Sequence, residues 1–324
     1  MKLEDAIFEI KDQDSFQSLS LEVFRFQYER NRVYRSFVDS LKKDIRDIQN
    51  IDEIPFLPIG FFKTHKVSCQ ENFQKVFLSS ATTSMVQSKH YVFDLNLYQR
   101  SFLNTFQNHF GELSELCIFA LLPSYLEREG SSLVYMVEKL IEKSHPKSGF
   151  YLHNQEELAQ KILENEKNQL PTLLFGVSYA LLDFAQRFPM SLSNTKIMDT
   201  GGMKGKREEM PKEEFNAVLK KAFGLSTIYS EYGMTELLSQ GYTTQESLFE
   251  TPSWMKILIR ELNDPFCYLK DGQTGGINVI DLANLYSCSF IATDDLGKNK
   301  SSCTFEVLGR FDHSDLRGCN LLVQ

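Results

Sequence analysis

The sequence predicts an α/β protein, with mixed parallel sheets flanked by helices and a β-rich region towards its C-terminal end. Over residues 71–225, short apolar segments alternate with segments of helical periodicity, an order typical of parallel strands with helices on the faces of a sheet. From residue 226 onward, apolar segments follow one another without helices between them, which predicts more antiparallel pairing. No linker or repeat separates these parts. We therefore expect one domain over residues 1–324, beginning with a helical part over residues 1–70.

The N-terminal part is predicted to be helical and then extended. Large apolar residues recur at steps of mostly three and four over residues 16–44, which places them on one face of one amphipathic helix or of two consecutive helices. Pro55 and Pro58 disfavour helical backbone in the residues that precede them. Residues 54–67 are therefore expected to be extended.

The middle part alternates helix signals with strand signals. Polar caps and a proline mark the helix starts, and short apolar runs mark the buried strands. In chain order the predicted elements are a strand, turn and strand over 76–94, a helix from a cap at Asp94 to about His109, a strand over 116–123, a helix from a cap at Ser131 or Ser132 to Lys143, a helix from a cap at Asn154 to about Glu166, a strand over 172–176 with a helix to Phe188, a strand over 195–199, and a helix from Pro211 to Gly224.

The β-rich part contains five apolar segments, each of a length that suits one strand. They span residues 226–229, 255–262, 277–282, 289–293 and 304–309.

Composition and charge exclude several classes of protein. The chain is 42% hydrophobic and 24% charged, with a net charge of −8 at pH 7, whereas a nucleic-acid or anionic-membrane surface requires a basic face. The N-terminal residues lack the basic start and apolar stretch of a signal peptide. The longest apolar run, residues 170–185, is too short to span a membrane. We expect a cytoplasmic protein without a membrane span or a nucleic-acid partner.

The six cysteines are scattered without a Cys-x-x-Cys pair or a Cys/His cluster. This spacing predicts neither a disulfide framework nor a zinc site.

The first candidate site is a hydroxyl-rich turn, SSATTS over residues 79–84. Backbone N–H groups and side-chain hydroxyls in such a turn can bind phosphate. Ala81 and Ser84 occupy positions where glycine would permit the closest approach, so a plain polar turn is the alternative. The candidate phosphate ligands are Ser79, Ser80, Thr82 and Thr83.

Two further stretches follow predicted strands. In DTGGMKGK, residues 199–206, the double glycine lets the backbone approach a flat ring or an anion; a tight turn is the alternative. YSEYGMTELLSQGY, residues 229–242, offers an aromatic ring, a hydroxyl and the Glu236 carboxylate. A carboxylate beside phosphate is useful when it holds Mg²⁺ between them, although a solvated glutamate is the commoner arrangement.

The last two stretches lie near the C-terminal end. Paired acids in IATDDLGK, residues 291–298, are expected at a strand end, where one carboxylate could accept both hydroxyls of a ribose. A strand then ends in Gly309 and Arg310, within VLGRFDHSDLRGCNLLVQ, residues 307–324. Acidic turns and terminal arginines are common, so the order and spacing of all five stretches carry the specificity.

Together these stretches resemble the motifs of the adenylate-forming superfamily, which includes acyl-CoA synthetases, luciferases and peptide-synthetase adenylation domains. SSATTS resembles its phosphate loop, TGGMK its adenine-pocket glycines, YGMTE its Tyr-Gly-x-Thr-Glu motif, TDDLG its Gly-Asp-Leu segment and GRFDHSDLRG its hinge. The resemblance implies the fold of that superfamily's large N-terminal domain, with ATP and Mg²⁺ as cofactors.

The resemblance also implies a role for each matched residue. Thr82 and Thr83 would contact ATP phosphates beside Ser79 and Ser80, while Thr235 would touch the α-phosphate and Glu236 would bind Mg²⁺. Gly201 and Gly202 would line the adenine and acyl pocket, and Tyr232 beside Gly233 would stack on adenine. Asp295, or Asp294 in the alternative register, would take the ribose hydroxyls with Arg310 assisting.

Within the superfamily the chain most resembles the LuxE-like acyl-protein synthetases of bacterial light-emitting operons. Its N-terminal run through PFLPIGFFK is similar to the start of that family, and Cys319 stands where the family carries an acyl-accepting cysteine. The chain ends soon after the hinge motif, so we expect the small C-terminal domain to be truncated or absent. Its catalytic lysine would then be missing, and Lys204 or Lys206 could substitute for it.

The resemblance implies an ATP-dependent acid–thiol ligase that forms an acyl-adenylate and transfers the acyl group to Cys319. A fatty acid is the favoured substrate, and a reductase or carrier protein the expected onward acceptor. An acyl-CoA or aryl-CoA ligase with a separate acceptor is one alternative. A non-catalytic protein that binds a nucleotide or an acyl group is the other.

Overall fold

The computed structural model describes residues 2–80, 86–123, 130–152, 154–201, 210–245, 247–301 and 303–311. Within these ranges the helices are α1 Leu3–Ala6, α2 Gln13–Arg30, α3 Arg32–Ser40, α4 Phe61–Thr64, α5 Leu95–Phe110, α6 Ser132–Lys143, α7 Gln155–Lys167, α8 Ser178–Arg187 and α9 Lys212–Phe223. The strands are β1 Leu57–Pro58, β2 Lys75–Leu78, β3 Lys89–Val92, β4 Cys117–Leu121, β5 Gly149–Tyr151, β6 Thr172–Val177, β7 Thr195–Thr200, β8 Tyr229–Tyr232, β9 Gly241–Gln245, β10 Leu248–Glu250, β11 Met255–Arg260, β12 Gly275–Asp281, β13 Phe290–Asn299 and β14 Thr304–Arg310.

Most of the described strands form one mixed sheet of twelve strands. Its order is β11-β12-β13-β14-β10-β9-β8-β7-β6-β4-β5, and β1 pairs in parallel with β13. Strands β5, β4, β6, β7 and β8 are parallel to one another, whereas pairing is antiparallel from β8 to β11. The predicted fold class, a mixed sheet with flanking helices and a β-rich C-terminal region, is confirmed.

The burial of the strands explains why the two halves of the sheet differ in sequence. Every residue of β4 and β6 is buried, as expected for parallel strands covered by helices on both faces. Strand β11 alternates instead between buried and partly exposed residues, the pattern of an antiparallel strand with one covered face.

The hydroxyl-rich turn belongs to a separate antiparallel hairpin, β2–β3. The two predicted strands are therefore confirmed, while residues 81–85 between them lie outside the described residues.

Buried amides fasten the N-terminal helices to the rest of the molecule. Gln27 of α2 donates from Nε2 to the carbonyl oxygen of Leu285 (2.8 Å), and its Oε1 accepts from the Ser289 N–H (2.9 Å). Asn31 separates α2 from α3: its Oδ1 accepts from the Tyr34 N–H (3.0 Å). The same side chain donates to the carbonyl oxygen of Ser287 (2.9 Å), so one residue starts α3 and anchors both helices.

Several predicted boundaries are wrong. The strand expected at 226–229 begins at Tyr229, because Gly224 ends α9 in a left-handed conformation (φ 65°) and the Leu225 N–H still bonds to Lys220. Residues 54–67 are only partly extended, since α4 follows β1. The paired acids lie inside β13 and not at a strand end. Strands β9 and β10 were not predicted, because β9 is too polar to show a strand pattern.

None of the helices in the described ranges is both long and apolar enough to cross a membrane. The expected division of the chain into three parts of one domain stays a prediction.

Candidate nucleotide site

The segment after β8 holds a buried carboxylate. Glu236 is only 5% exposed, and burial raises the pKa of its carboxyl group, while a hydrogen bond from the Ser88 hydroxyl acts in the opposite direction. An ionised carboxylate in this position is costly unless a cation or further hydrogen bonds compensate it. A cation bound beside Glu236 would therefore stabilise its ionised carboxylate.

The base of the hydroxyl-rich turn lies beside this carboxylate. The Ser79 N–H donates to the carbonyl oxygen of Ser88 (3.1 Å), and the Ser88 N–H donates to Ser79 Oγ (2.9 Å). Ser88 thus closes the turn and hydrogen-bonds to Glu236. Ser80 is exposed at the last described position before the turn. Two stretches that are more than 140 residues apart in sequence meet here.

A buried histidine joins the hairpin to the segment that contains Thr235. His90 of β3 is fully buried; its Nδ1 lies 2.7 Å from the carbonyl oxygen of Thr235 and its Nε2 lies 3.0 Å from Asn284 Oδ1. Asn284 donates in turn to the carbonyl oxygen of Glu236 (2.8 Å). The two consecutive carbonyls of Thr235 and Glu236 are therefore fixed by this pair.

The sequence motifs assign no role to His90 or Asn284. Both ring nitrogens of His90 have partners, and these partners place it at the centre of the candidate site. The available signal was a histidine in the predicted strand that follows the phosphate loop.

Tyr232, Asp295 and Arg310 form a second cluster. The Tyr232 hydroxyl donates to Asp295 Oδ2 (2.9 Å), and Arg310 Nε donates to Asp295 Oδ1 (3.0 Å). The Tyr232 ring is 7% exposed and nearly perpendicular to the ring of Phe305. Both oxygens of Asp295 thus hold protein donors, so ribose hydroxyls would have to share or replace them. The predicted ribose and adenine roles of these residues stay predictions.

The glycine stretch begins above a buried aspartate at the end of β7. Asp199 is 4% exposed and accepts from the Ser230 hydroxyl (2.7 Å) and from the Lys212 ammonium. Gly201 adopts φ +67°, a left-handed conformation that favours glycine, and its carbonyl oxygen accepts from Ser178 Oγ (2.9 Å). This network ties the start of the glycine stretch to β8.

Two other predicted site residues, Gly233 and Asp294, lie within the described ranges. Gly233 is exposed, and a Cβ atom there would approach Glu231 Oε1 to 2.2 Å, so glycine lets the chain turn past that side chain. The Asp294 carbonyl oxygen accepts from the Phe311 N–H (2.8 Å). Outside the described residues lie Thr82, Thr83, Gly202, Lys204, Lys206 and Cys319, whose roles stay predictions.

The described residues could hold Mg²⁺ only together with the phosphate oxygens of a bound nucleotide. Among them, no group of three or more His, Cys, Asp or Glu side chains could hold a metal. Mg²⁺ is commonly held by one or two carboxylates together with substrate phosphates and water. The Glu236 carboxylate, with hydroxyls nearby, is the donor in this site that could complete such a set.

The fold is similar to that of solved adenylate-forming enzymes. An ATP-bound MatB from Rhodopseudomonas palustris matches with a TM-score of 0.56 at 14% identity, covering 72% of this chain and 47% of that chain. A 2-hydroxyisobutyryl-CoA ligase in complex with 2-HIB-AMP and CoA matches with a TM-score of 0.66 at 12% identity, covering 94% and 70%. The chain spans about half the length of the MatB chains it matches. No curated protein matches this chain.

The mixed sheet, with its flanking helices and C-terminal strands, is therefore the fold of the N-terminal domain of adenylate-forming enzymes. The family model described as acyl-protein synthetase, LuxE, matches residues 6–324, and the chain belongs to this family.

Proposed function

We propose that this protein is an ATP-dependent acyl-protein synthetase, which activates a carboxylic acid as its acyl-adenylate and transfers the acyl group to the Cys319 thiol. A fatty acid is the favoured substrate. The observation that carries the proposal is the convergence of the phosphate-loop base with the buried Glu236 through Ser88. Family membership over residues 6–324 supports it.

In the first step, a carboxylate oxygen of the acid attacks the α-phosphorus of ATP while the bond to pyrophosphate breaks. The protein contributes chiefly by positioning the reactants and by neutralising charge. Bound Mg²⁺ would neutralise phosphate charge, and Glu236 is the residue that would hold it. His90 and Asn284 keep the Thr235–Glu236 backbone in place for this purpose.

In the second step, the Cys319 thiolate attacks the acyl carbonyl carbon, a thioester forms, and AMP leaves with the former carboxylate oxygen. A thiolate is required because the neutral thiol is a weak nucleophile. Arg310, Arg317 and His313 are near Cys319 in sequence and would favour the thiolate. An acyl-accepting protein, such as a reductase or a carrier protein, would then receive the acyl group.

Intact-protein mass spectrometry tests the proposal. The protein is incubated with Mg·ATP and a mixture of fatty and aryl acids, and pyrophosphate release is measured in parallel. We expect an ATP-dependent mass gain that neutral hydroxylamine reverses, that maps to Cys319, and that is absent in Cys319→Ser.

Two other outcomes would contradict the proposal in different ways. Pyrophosphate release with unchanged turnover in Cys319→Ser, once coenzyme A is added, would indicate a ligase with a separate acceptor. Nucleotide binding without pyrophosphate release under any acid would indicate a non-catalytic binding protein.

A further inference from the structure

Strand β1 places the short helix α4 at the edge of the sheet where the candidate site lies. Leu57 and Pro58 pair in parallel with Ile291 and Ala292 of β13, and the Ile59 N–H donates to the carbonyl oxygen of Ala292 (2.9 Å). Because the two strands run in the same direction, the chain that leaves β1 advances towards the level of Asp294 and Asp295. Helix α4 is the next element along the chain.

Helix α4 also packs directly against His90, the residue that holds the Thr235 backbone in place. Phe62 is fully buried, and its ring is perpendicular to that of His90 at a centroid distance of 5.8 Å. His90 is in turn bonded to the carbonyl oxygen of Thr235. The position of α4 relative to Thr235 and Glu236 is therefore fixed through two consecutive buried contacts.

Lys63 follows Phe62 and is exposed. Burial raises the pKa of Glu236, and the positive charges of Arg310 and Lys63 both act to lower it. Lys63 is the residue next to Phe62, whose ring contacts His90, so the packing of α4 brings Lys63 to the segment that contains Thr235 and Glu236. Arg310 is already hydrogen-bonded to Asp295, whereas the Lys63 side chain reaches solvent.

A nucleotide at this site needs positive charge besides Mg²⁺. The triphosphate would lie beside the negative Glu236, and part of that repulsion has to be neutralised by cationic side chains. We propose that the ammonium group of Lys63 binds a phosphate oxygen of the nucleotide next to Glu236. This inference rests on the proposed function and assigns a phosphate ligand to a segment that the sequence motifs leave without a role.

Isothermal titration calorimetry in the absence of any acid tests this assignment. The dissociation constants of Mg·ATP and of adenosine are measured for the wild type, Lys63→Gln and Lys63→Arg. Losing a charge-assisted hydrogen bond should weaken Mg·ATP binding by about tenfold or more in Lys63→Gln. Adenosine binding should stay unchanged, and Lys63→Arg should recover part of the ATP affinity.

Lys66→Gln is the matched control. Lys66 lies three residues further on, beyond the end of α4, and it donates to the carbonyl oxygen of Glu71 (2.7 Å) and lies over the rings of Phe73 and Tyr91. Its removal should leave ATP affinity within about twofold, and the melting temperatures of all variants should match because Lys63 is exposed. Unchanged ATP affinity in Lys63→Gln, or an equal loss for adenosine and ATP, would overturn the assignment.

The two proposals fail in distinguishable ways. Wild-type protein that binds Mg·ATP but releases no pyrophosphate with any acid sinks the proposed function and leaves the Lys63 assignment testable. Wild-type protein that binds no nucleotide overturns both.

Discussion

At the scale of single residues, the candidate site is held together by buried polar groups that cost stability. Glu236 and His90 are both buried, and burial disfavours the charged form of each. Such groups are common at functional sites, where the cost is offset by what they bind or hold. Each therefore has a stability signature that can be measured without a substrate.

Glu236→Gln should separate stability from activity. Burial raises the pKa of the Glu236 carboxyl group in the folded state, so the folded protein binds the carboxyl proton more tightly than the unfolded chain does. The free energy of unfolding therefore falls as the pH rises from about 4.3, the pKa in the unfolded chain, through the higher pKa of the folded state. The variant avoids this loss. We expect its urea midpoint at pH 7.5 to equal or exceed that of the wild type, while Mg²⁺-dependent pyrophosphate release falls about 100-fold or more.

The comparison needs one control. Glu250 lies about 45% exposed at the side chain, so Glu250→Gln should change neither quantity measurably. A clear drop in the stability of Glu236→Gln would contradict the cost assigned to its buried charge.

His90 should make the protein sensitive to mild acid. Burial lowers the pKa of His90 to about 4, compared with about 6.5 in an unfolded chain. Between these values the unfolded chain binds more protons, so stability present above pH 6.5 is lost as pH falls towards 4, by about 3 kcal/mol at most.

Urea unfolding at pH 7.5 and pH 5 measures this loss. His90→Gln should flatten the pH dependence, although it lowers the stability at both pH values by removing buried contacts. The exposed His65 provides the control, and an equal flattening in His65→Gln would contradict the assignment to His90.

At the scale of secondary structure, the sequence predicted what depends on neighbouring residues. Asp94 caps α5 by accepting from the Asn96 N–H (2.9 Å), and Ser131 caps α6 by accepting from the Val134 N–H (3.3 Å); both follow from local rules. The extension of β13 through its acidic pair depends instead on the cross-strand pairing of Asp295 with Arg310. No local pattern contains that partner.

The same division applies to the candidate site. Glu236 and the hydroxyl-rich turn could be recognised from short motifs, because each motif is contiguous in the chain. His90 and Asn284 are 194 residues apart in sequence, and each alone is an ordinary polar residue. Their contact arises only when α4, β3 and the segment after β12 pack together, so it could not be predicted.

Asn31→Ala should test how firmly the helices α2 and α3 are anchored. The change removes both the cap on the Tyr34 N–H and the buried bond to Ser287, and we expect a loss of about 2–3 kcal/mol from these two contributions. Asp12→Ala is the matched control, because Asp12 is an exposed cap of α2 that accepts from the Ser15 N–H (2.8 Å). Its loss should be clearly smaller than that of Asn31→Ala, because the Asp12 cap is exposed to solvent. Equal losses in chemical denaturation would contradict a buried anchor at Asn31.

At the scale of the whole molecule, one sheet joins the first described strand, β1, to the last, β14, and leaves out only the β2–β3 hairpin among the described strands. The N-terminal helices are tied to residues 285–289 by buried amides. Trp254, the single tryptophan, is 4% exposed and donates to Ser239 Oγ (3.0 Å). These links argue that the N-terminal part and the two halves of the sheet unfold together.

We therefore predict one cooperative transition. Urea unfolding followed by Trp254 fluorescence and by far-ultraviolet circular dichroism should give coincident curves. Two transitions with different midpoints would contradict the expectation of one domain and would identify a part that unfolds separately.

The position of β14 in the sheet has a consequence for biosynthesis. In the ladder of described strands, β14 lies between β10 and β13, so β11, β12, β13 and β1 join the remaining strands through it. A ribosome delivers the chain from its N-terminus. Strand β1 therefore cannot pair until β13 has been synthesised, and the strands on the two sides of β14 cannot join until β14 has been synthesised. Strand β14 also carries Arg310. A growing chain that has not yet been synthesised through β14 therefore lacks both the joined sheet and the Asp295–Arg310 cluster.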